Sequence, residues 1–238
     1  MRKVLVIGGG AAGMMAAVTA AKNGGQVLLL EKNEKLGKKL FITGKGRCNI
    51  TNAAEIEEFF SAVVSNPKFL YSSFYSFTND QVIDFFEKLG VQTKVERGGR
   101  VFPASDHSSD VIRALEREMG RLGVKIRLRT EVKELIVEDG TVKGALLSSG
   151  KKLYADAVII TTGGVSYPST GSTGDGYRFA RECGHKVTEL LPSLVPMEVK
   201  EWYAKELMGL SLRNIEILIT DGKKKLYREF GEMMFTHY

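Results

Sequence analysis

A chain of 238 residues, 43% hydrophobic and 26% charged, is long enough to bury a substantial core and too ordinary in composition to be read as disordered. Basic residues exceed acidic ones by 34 − 28 = 6, which suits an anionic ligand, yet there is no RNA-recognition signature, basic heptad or zinc-finger spacing, so nucleic acid is not expected. Two cysteines (Cys48, Cys183) exclude a disulfide framework, three scattered histidines (His107, His185, His237) argue against a metal, and the apolar runs are too short for a bilayer, so the chain reads as cytoplasmic.

Val4 to Ile7 is a short continuous apolar run, the form of a strand buried on both faces. It enters Gly8-Gly9-Gly10-Ala11-Ala12-Gly13, then a helical pattern from Ala11 to Lys22 that Gly24-Gly25 ends. A second apolar strand, Gln26 to Leu30, finishes at Glu31. The spacing of Gly8, Gly10 and Gly13 fits G-x-G-x-x-G. One glycine permits a tight turn, the next lets backbone N–H groups approach a pyrophosphate, and the third lets helix pack on strand. The helix start at Ala11-Ala12 then offers the positive end of its dipole to the phosphates. Glu31, 31 − 13 = 18 positions past the last glycine, is placed to accept hydrogen bonds from ribose hydroxyls. Because strand, glycines, helix, strand and acid fall in register, a dinucleotide site is expected.

Thr43 to Asn52, TGKGRCNITN, is the next polar cluster. It is not a triphosphate loop: Lys39 stands where the first glycine belongs, and Lys45 is followed by Gly46 rather than Ser or Thr. Cys48 has no neighbouring cysteine, although Arg47 beside it favours a thiolate. The stretch is expected to form one wall of a cofactor cradle, with Gly46, Arg47, Cys48 and Asn49 along it.

Residues 53 to 90 read as a helical insertion. Asn52 is expected to cap a helix from Glu55 to Val64, and Asn79 or Asp80 a second from Gln81 to Leu89. The aromatics Phe59, Phe60, Phe69, Phe74, Phe77, Phe85 and Phe86 read as core, with a lid as the functional alternative. Val91 to Val95 and Arg100 to Phe102 flank Gly98-Gly99 as a hairpin, and Ser109 to Leu122 is an amphipathic helix. Lys125 to Leu128, Leu135 to Glu138, Val142 to Leu147 and Val158 to Ile160 are strands. Leu191-Pro192-Ser193-Leu194-Val195-Pro196 breaks the pattern. Beyond it, Leu210 to Thr220, Lys223 to Phe230 and Met233 to Thr236 read as strands of another unit.

The extended pattern from Gly8 through Ala17 and Gly24 to Val27-x-Leu29-Leu30-Glu31 resembles the fingerprint of FAD proteins of the glutathione-reductase fold type. Thr130-Glu131-Val132 and Thr161-Thr162-Gly163-Gly164 resemble later motifs of that group. Glu31-Lys32, Leu36-Gly37-Lys38-Lys39, Gly46-Arg47-Cys48-Asn49, Arg100-Val101-Phe102-Pro103 and Ser166-Tyr167-Pro168 are together similar to one subgroup. It includes aminoacetone oxidase and flavoproteins assigned to bile-acid reduction.

The resemblance implies FAD, held at Glu31-Lys32, by backbone at Val132 and by Thr162, Gly163 and Gly164 near the flavin. It also implies an α/β Rossmann-like FAD-binding domain with an antiparallel meander over residues 1–190. Residues 191–238 would begin a second antiparallel β domain, the whole being an N-terminal portion of a longer protein. The expected activity is FAD-dependent oxidoreduction of a small organic substrate, by an oxidase or a reductase. A second G-x-G-x-x-G is absent, because Gly171, Gly174 and Gly176 have the wrong spacing, so NAD(P)H would dock only transiently. Tyr167, with His107 as the alternative, is the candidate proton donor and Arg100 the candidate anchor for an anionic substrate group. A flavin-free NAD(P)-dependent dehydrogenase and a non-catalytic flavin-binding module remain as alternatives.

Overall fold

A computed structural model describes residues 1–192 and 195–236, so Ser193, Leu194, His237 and Tyr238 lie outside the described residues. In chain order the first unit runs β1 (Lys3–Ile7), α1 (Ala11–Lys22), β2 (Gln26–Leu30), α2 (Lys38–Ile42), β3 (Thr51–Asn52), α3 (Ile56–Ala62), α4 (Tyr71–Ser76) and α5 (Asn79–Lys88). It continues with β4 (Thr93–Glu96), β5 (Arg100–Pro103), α6 (Ser108–Arg121), β6 (Lys125–Arg127), β7 (Val132–Glu138), β8 (Thr141–Leu147), β9 (Lys152–Tyr154), β10 (Ala157–Ile160) and α7 (Asp175–Glu182). The chain divides at Val187–Thr188 into two compact units.

The central sheet is parallel, in the order β10-β1-β2-β6. Its middle strand shows why Val4 to Ile7 is apolar throughout. Val6 packs with Met14, Ala17 and Val18 of α1 and with Leu115 and Met119 of α6. Leu5 and Ile7 point the other way, toward Val132, Ala145 and Leu147 of the antiparallel meander β7-β8-β9 and toward Phe179 of α7. Phe179 is completely buried and fastens α7 to that face. Truncation of such a residue costs about 3–5 kcal/mol. A third sheet, β3-β5-β4, carries the hairpin across Gly98-Gly99.

Several local expectations change. Asn52 does not cap α3; its side chain accepts from the Ala54 N–H and donates to the Gly98 carbonyl, tying the insertion to the hairpin instead. α5 begins earlier than expected because Thr78 caps it, in a reciprocal box with Gln81. Of the insertion aromatics only Phe86 is buried, while Phe59 and Phe60 each pack on Phe74 and Phe69 is 77% exposed. The expectation of a shared core for all seven is therefore corrected: α3 and α4 are too short to carry a continuous buried stripe.

The second unit contains α8 (Tyr203–Glu206) and a long antiparallel hairpin of β11 (Ser211–Asp221) and β12 (Lys224–Met234). The two strand segments expected after Asp221-Gly222 are one strand, since pairing continues through Gly231 opposite Ile215. Among the described residues no helix is long and apolar enough to cross a membrane, and no cluster of His, Cys, Asp or Glu converges as a metal site.

Candidate functional site

At the carboxyl ends of β1, β2 and β10 lies a cavity of about 350 Å³, the place where open parallel sheets bind ligands. Its floor is the turn from Gly8 to Ala12. The glycines there answer different constraints. A Cβ on Gly8, whose φ is +106°, would meet the Thr161 carbonyl oxygen at 2.5 Å, and one on Gly13 would meet the Gly8 carbonyl oxygen at 1.8 Å. Both are glycine because backbone passes close by. Gly10 differs: a Cβ there would have nothing within 4 Å, since it faces the cavity.

Gly10 is also the cap residue of α1, with no side-chain cap and no acidic residue in the first turn. The free N–H groups at the start of α1 therefore face open space, an arrangement suited to an anion.

Glu31 closes one side of the floor and is 7% exposed. Its carboxylate accepts from the Gly9 N–H at 2.7 Å, the Asn33 N–H at 2.8 Å and Asn33 Nδ2 at 2.7 Å. Glu31 thus shapes the glycine turn as well as facing the cavity. Gly9 and Asn33 are residues that motif reading missed. The triple glycine was the available signal for Gly9; Asn33 bonds Glu31 from two residues away, while its bond to the Thr170 carbonyl, which accepts from Nδ2 at 3.2 Å, has no local signal.

A strap from Ser166 to Asp175 borders the same cavity. Lys32 Nζ donates to Thr173 Oγ1 at 2.7 Å and to Asp175 Oδ2 at 2.8 Å, and Lys39 Nζ donates to the Ser166 carbonyl at 2.7 Å. Lys32 and its neighbouring Thr173 hydroxyl help hold the Asp175 carboxyl below its ordinary range against the opposing effect of burial, which is the larger single influence. On the far side Val132 is buried at the cavity edge, and Thr162 and Gly163 follow β10 into it. The Thr162 hydroxyl oxygen is buried without a hydrogen-bond partner.

The structure brings Gly8, Gly10, Ala11, Ala12, Glu31, Lys32, Val132, Thr162 and Gly163 to this cavity, with Gly13 packed beneath the turn. Gly164 lies just beyond the lining, where its carbonyl accepts from the Gly174 N–H at 3.1 Å. The segment Gly46 to Asn49 is not among the lining residues. Its path is fixed by left-handed backbone at Gly44, Lys45, Gly46 and Cys48, with φ of 57°, 59°, 87° and 62°. The expectation that Arg47 lies along the cavity is corrected. Its guanidinium pairs with Glu96 and with Asp106, and stacks 4.2 Å from the Phe102 ring. Two carboxylates and an aromatic face hold it more strongly than an open pocket would.

Cys48 is 1% exposed, and burial pushes its thiol up despite a hydrogen bond with Thr43, so it is no activated nucleophile. Cys48 and Asn49 line a second cavity of about 240 Å³ on the other side of the α1 start, reached past Ala11, Ala12 and Leu40. Arg100 and Tyr167 are outside both cavities. Arg100 Nε donates to the Arg97 carbonyl at 3.2 Å, and Tyr167 is 65% exposed at a left-handed turn. A shallower depression of about 690 Å³ along β7 and α7 includes side chains paired with one another, such as Arg178 with Glu182.

Comparison with known proteins agrees with this geometry. The chain is 36% identical over 214 residues to 3-dehydro-bile acid delta(4,6)-reductase of Clostridium scindens, covering 90% of this chain and 51% of the relative. It is 32% identical over 213 residues to ribosomal RNA dihydrouridine synthase of Escherichia coli, covering 89% and 51%. The chain therefore spans about half the length of the curated relatives it matches. Among solved structures, a flavocytochrome c3 fumarate reductase in its open conformation shares the fold, with TM-score 0.58 and 20% identity over 90% of this chain and 47% of that one. The family described as HI0933-like protein Rossmann domain matches residues 2–234, and the chain belongs to that family.

Proposed function

We propose that this chain is the FAD-binding portion of a flavin-dependent reductase whose substrate carries a C=C bond conjugated to a carbonyl group. The observation that carries the dinucleotide reading is the open, uncapped start of α1 beside a glycine with empty space above it. The reaction class rests on what the two relatives' names share. A 3-oxo steroid with 4,6 double bonds and a uracil ring are both conjugated enones or their nitrogen analogues, and in both a C=C bond is saturated.

The residues present fit FAD. The N–H groups at the start of α1 would hold the pyrophosphate, and the one lone pair of Glu31 left unused, on Oε2, would accept from a ribose hydroxyl. Val132, buried at the cavity edge, would meet the adenine through its backbone. Bound flavin supplies the hydride-transfer chemistry. The chain's own contribution is to hold the anion, orient the ring and exclude water. NAD(P)H is the proposed electron source, docking transiently. Two free thiols suit a reducing compartment, in keeping with a cytoplasmic location.

The test is direct. The full protein should purify yellow, release FAD on denaturation, and have its reduced flavin reoxidised anaerobically by a 3-oxo-4-ene compound. A protein that stays colourless when FAD is added refutes the cofactor. Reoxidation by oxygen alone, with no effect of any enone, refutes the reaction class. A second reading, reduction of uridine within RNA, is favoured by the name of the Escherichia coli relative.

A further inference from the structure

Resting on the reductase reading, we infer that the apolar cavity beside the first turn of α1 receives the hydrocarbon ring end of the substrate, so that the substrate is a hydrocarbon-rich carbonyl compound and not a base in RNA. The cavity measures about 240 Å³ and is walled by Met15, Ile50, Val82, Phe86, Val111 and Leu115. It is smaller than the ~300–1,000 Å³ of a whole small-molecule site, so it fits one end of a ligand. It adjoins the cofactor cavity, with Ala11, Ala12 and Leu40 forming part of the wall of each. A ring lodged there lies against Ala11, Ala12 and Met15 of α1.

Polarity decides between the two substrate classes. A uracil ring presents an N–H and two carbonyl oxygens, each of which costs free energy to bury without a partner. The polar groups at this cavity are already engaged. Asn49 Nδ2 donates to the Thr51 carbonyl at 2.9 Å and to the Val101 carbonyl at 3.0 Å, leaving only its oxygen. The Cys48 thiol is shared with Thr43. Saturated rings have no such requirement.

Charge points the same way. The insertion that supplies Phe77, Val82 and Phe86 to the wall spans residues 53–90. It carries six acids (Glu55, Glu57, Glu58, Asp80, Asp84, Glu87) against Lys68 and Lys88, a net 2 − 6 = −4 within a chain of net +6. A phosphate backbone entering beside it meets like charge. The exposed Phe77, at 41%, instead offers an apolar rim.

Equilibrium dialysis of the FAD-loaded protein tests this with three probes: a 3-oxo-4-ene steroid, a bicyclic enone and an oligouridine. Both enones should bind. Val82→Phe, which fills the cavity, should weaken them about ten-fold or more while flavin content stays unchanged. Phe77→Ala, at the exposed rim and tolerant of folding, should weaken them less but measurably. Failure of both enones to bind overturns the inference. So does equal binding by the wild type and both variants, or displacement of the enones by oligouridine. A colourless protein that still binds enones in a Val82-dependent way keeps the cavity assignment and rejects the cofactor; a yellow protein that binds neither enone does the reverse.

Discussion

Two glycine substitutions, three residues apart, separate what the ligand requires from what the fold requires. Gly10→Ala adds a methyl group with nothing within 4 Å of it, at a backbone φ of −79° and ψ of −169° that alanine adopts freely. As a helix cap, alanine is worse than glycine by roughly 0.5–1 kcal/mol. The reduced freedom of the unfolded chain returns about 0.4–1 kcal/mol. The two nearly cancel, so the melting temperature should stay within about 3 °C of wild type. Gly13→Ala places its methyl 1.8 Å from the Gly8 carbonyl oxygen and 2.7 Å from Thr161 Oγ1. Relief requires α1 to move off β1, which costs roughly 3 kcal/mol or more and lowers Tm by about 6–12 °C for a chain of this length.

The binding assay reverses the order of interest. In Gly10→Ala the methyl occupies the approach to the N–H groups at the start of α1. Losing one hydrogen bond to a charged oxygen there is worth about 1.5–3 kcal/mol, or ~10- to 100-fold in the Kd for FAD. Thermal denaturation and FAD titration of the two variants side by side supply both readings. A Gly10→Ala protein that binds FAD like wild type refutes the placement of phosphate at this turn. One that melts as early as Gly13→Ala refutes the claim that Gly10 faces empty space.

Three further substitutions probe the surroundings. Glu31→Ala should weaken FAD ~10- to 100-fold and also lower Tm, because the buried Gly9 N–H loses its acceptor; retained affinity with a lower Tm would make Glu31 purely structural. Arg47→Ala should leave the FAD Kd within a few-fold while lowering Tm, since its guanidinium faces Glu96 and Asp106 and not the cavity; a large loss of affinity by titration would reinstate it as a ligand contact. Glu118, 5% exposed, is held at about 2, well below the ordinary 4.5, chiefly by Arg121 and then by Lys22, against some desolvation. A depressed carboxylate stabilises the fold fully above about pH 5 and progressively less as pH falls toward 2. Glu118→Gln should therefore cost roughly 1–2 kcal/mol at neutral pH, its partners being solvent-exposed. Its Tm deficit should shrink on acidification; a deficit independent of pH counts against the ion pair.

What was legible in the sequence was whatever repeats on a short period or sits within one supersecondary unit. The β1–α1–β2 unit falls in this class, because burial on both faces of β1 forces a continuous apolar run and the turn after it demands glycine. The capping of α5 was nearly legible: Asn79 or Asp80 was the expected cap, and the reciprocal bond between Thr78 and Gln81 puts it one residue earlier than the first of these. Arg47 was misplaced for a different reason. Its partners Glu96 and Asp106 are 49 and 59 residues away, and no local pattern announces an ion pair formed between the segment before β3 and the two ends of a hairpin.

The same limit applies inside the motif. Gly8, Gly9, Gly10 and Gly13 are identical letters, yet a Cβ on Gly9 would meet Leu36 Cδ2 at 2.3 Å and its N–H bonds Glu31, and a Cβ on Gly8 or Gly13 would meet backbone. Only Gly10 is free of protein on its open side. Stability alone favours glycine over alanine at a helix cap, but Ser, Asp or Asn would cap better still. Glycine at that one position, with an uncapped helix start beneath it, is explained by an object that is not protein resting on the turn. The cofactor is thus read from the one glycine of this motif that neither backbone nor side chain crowds.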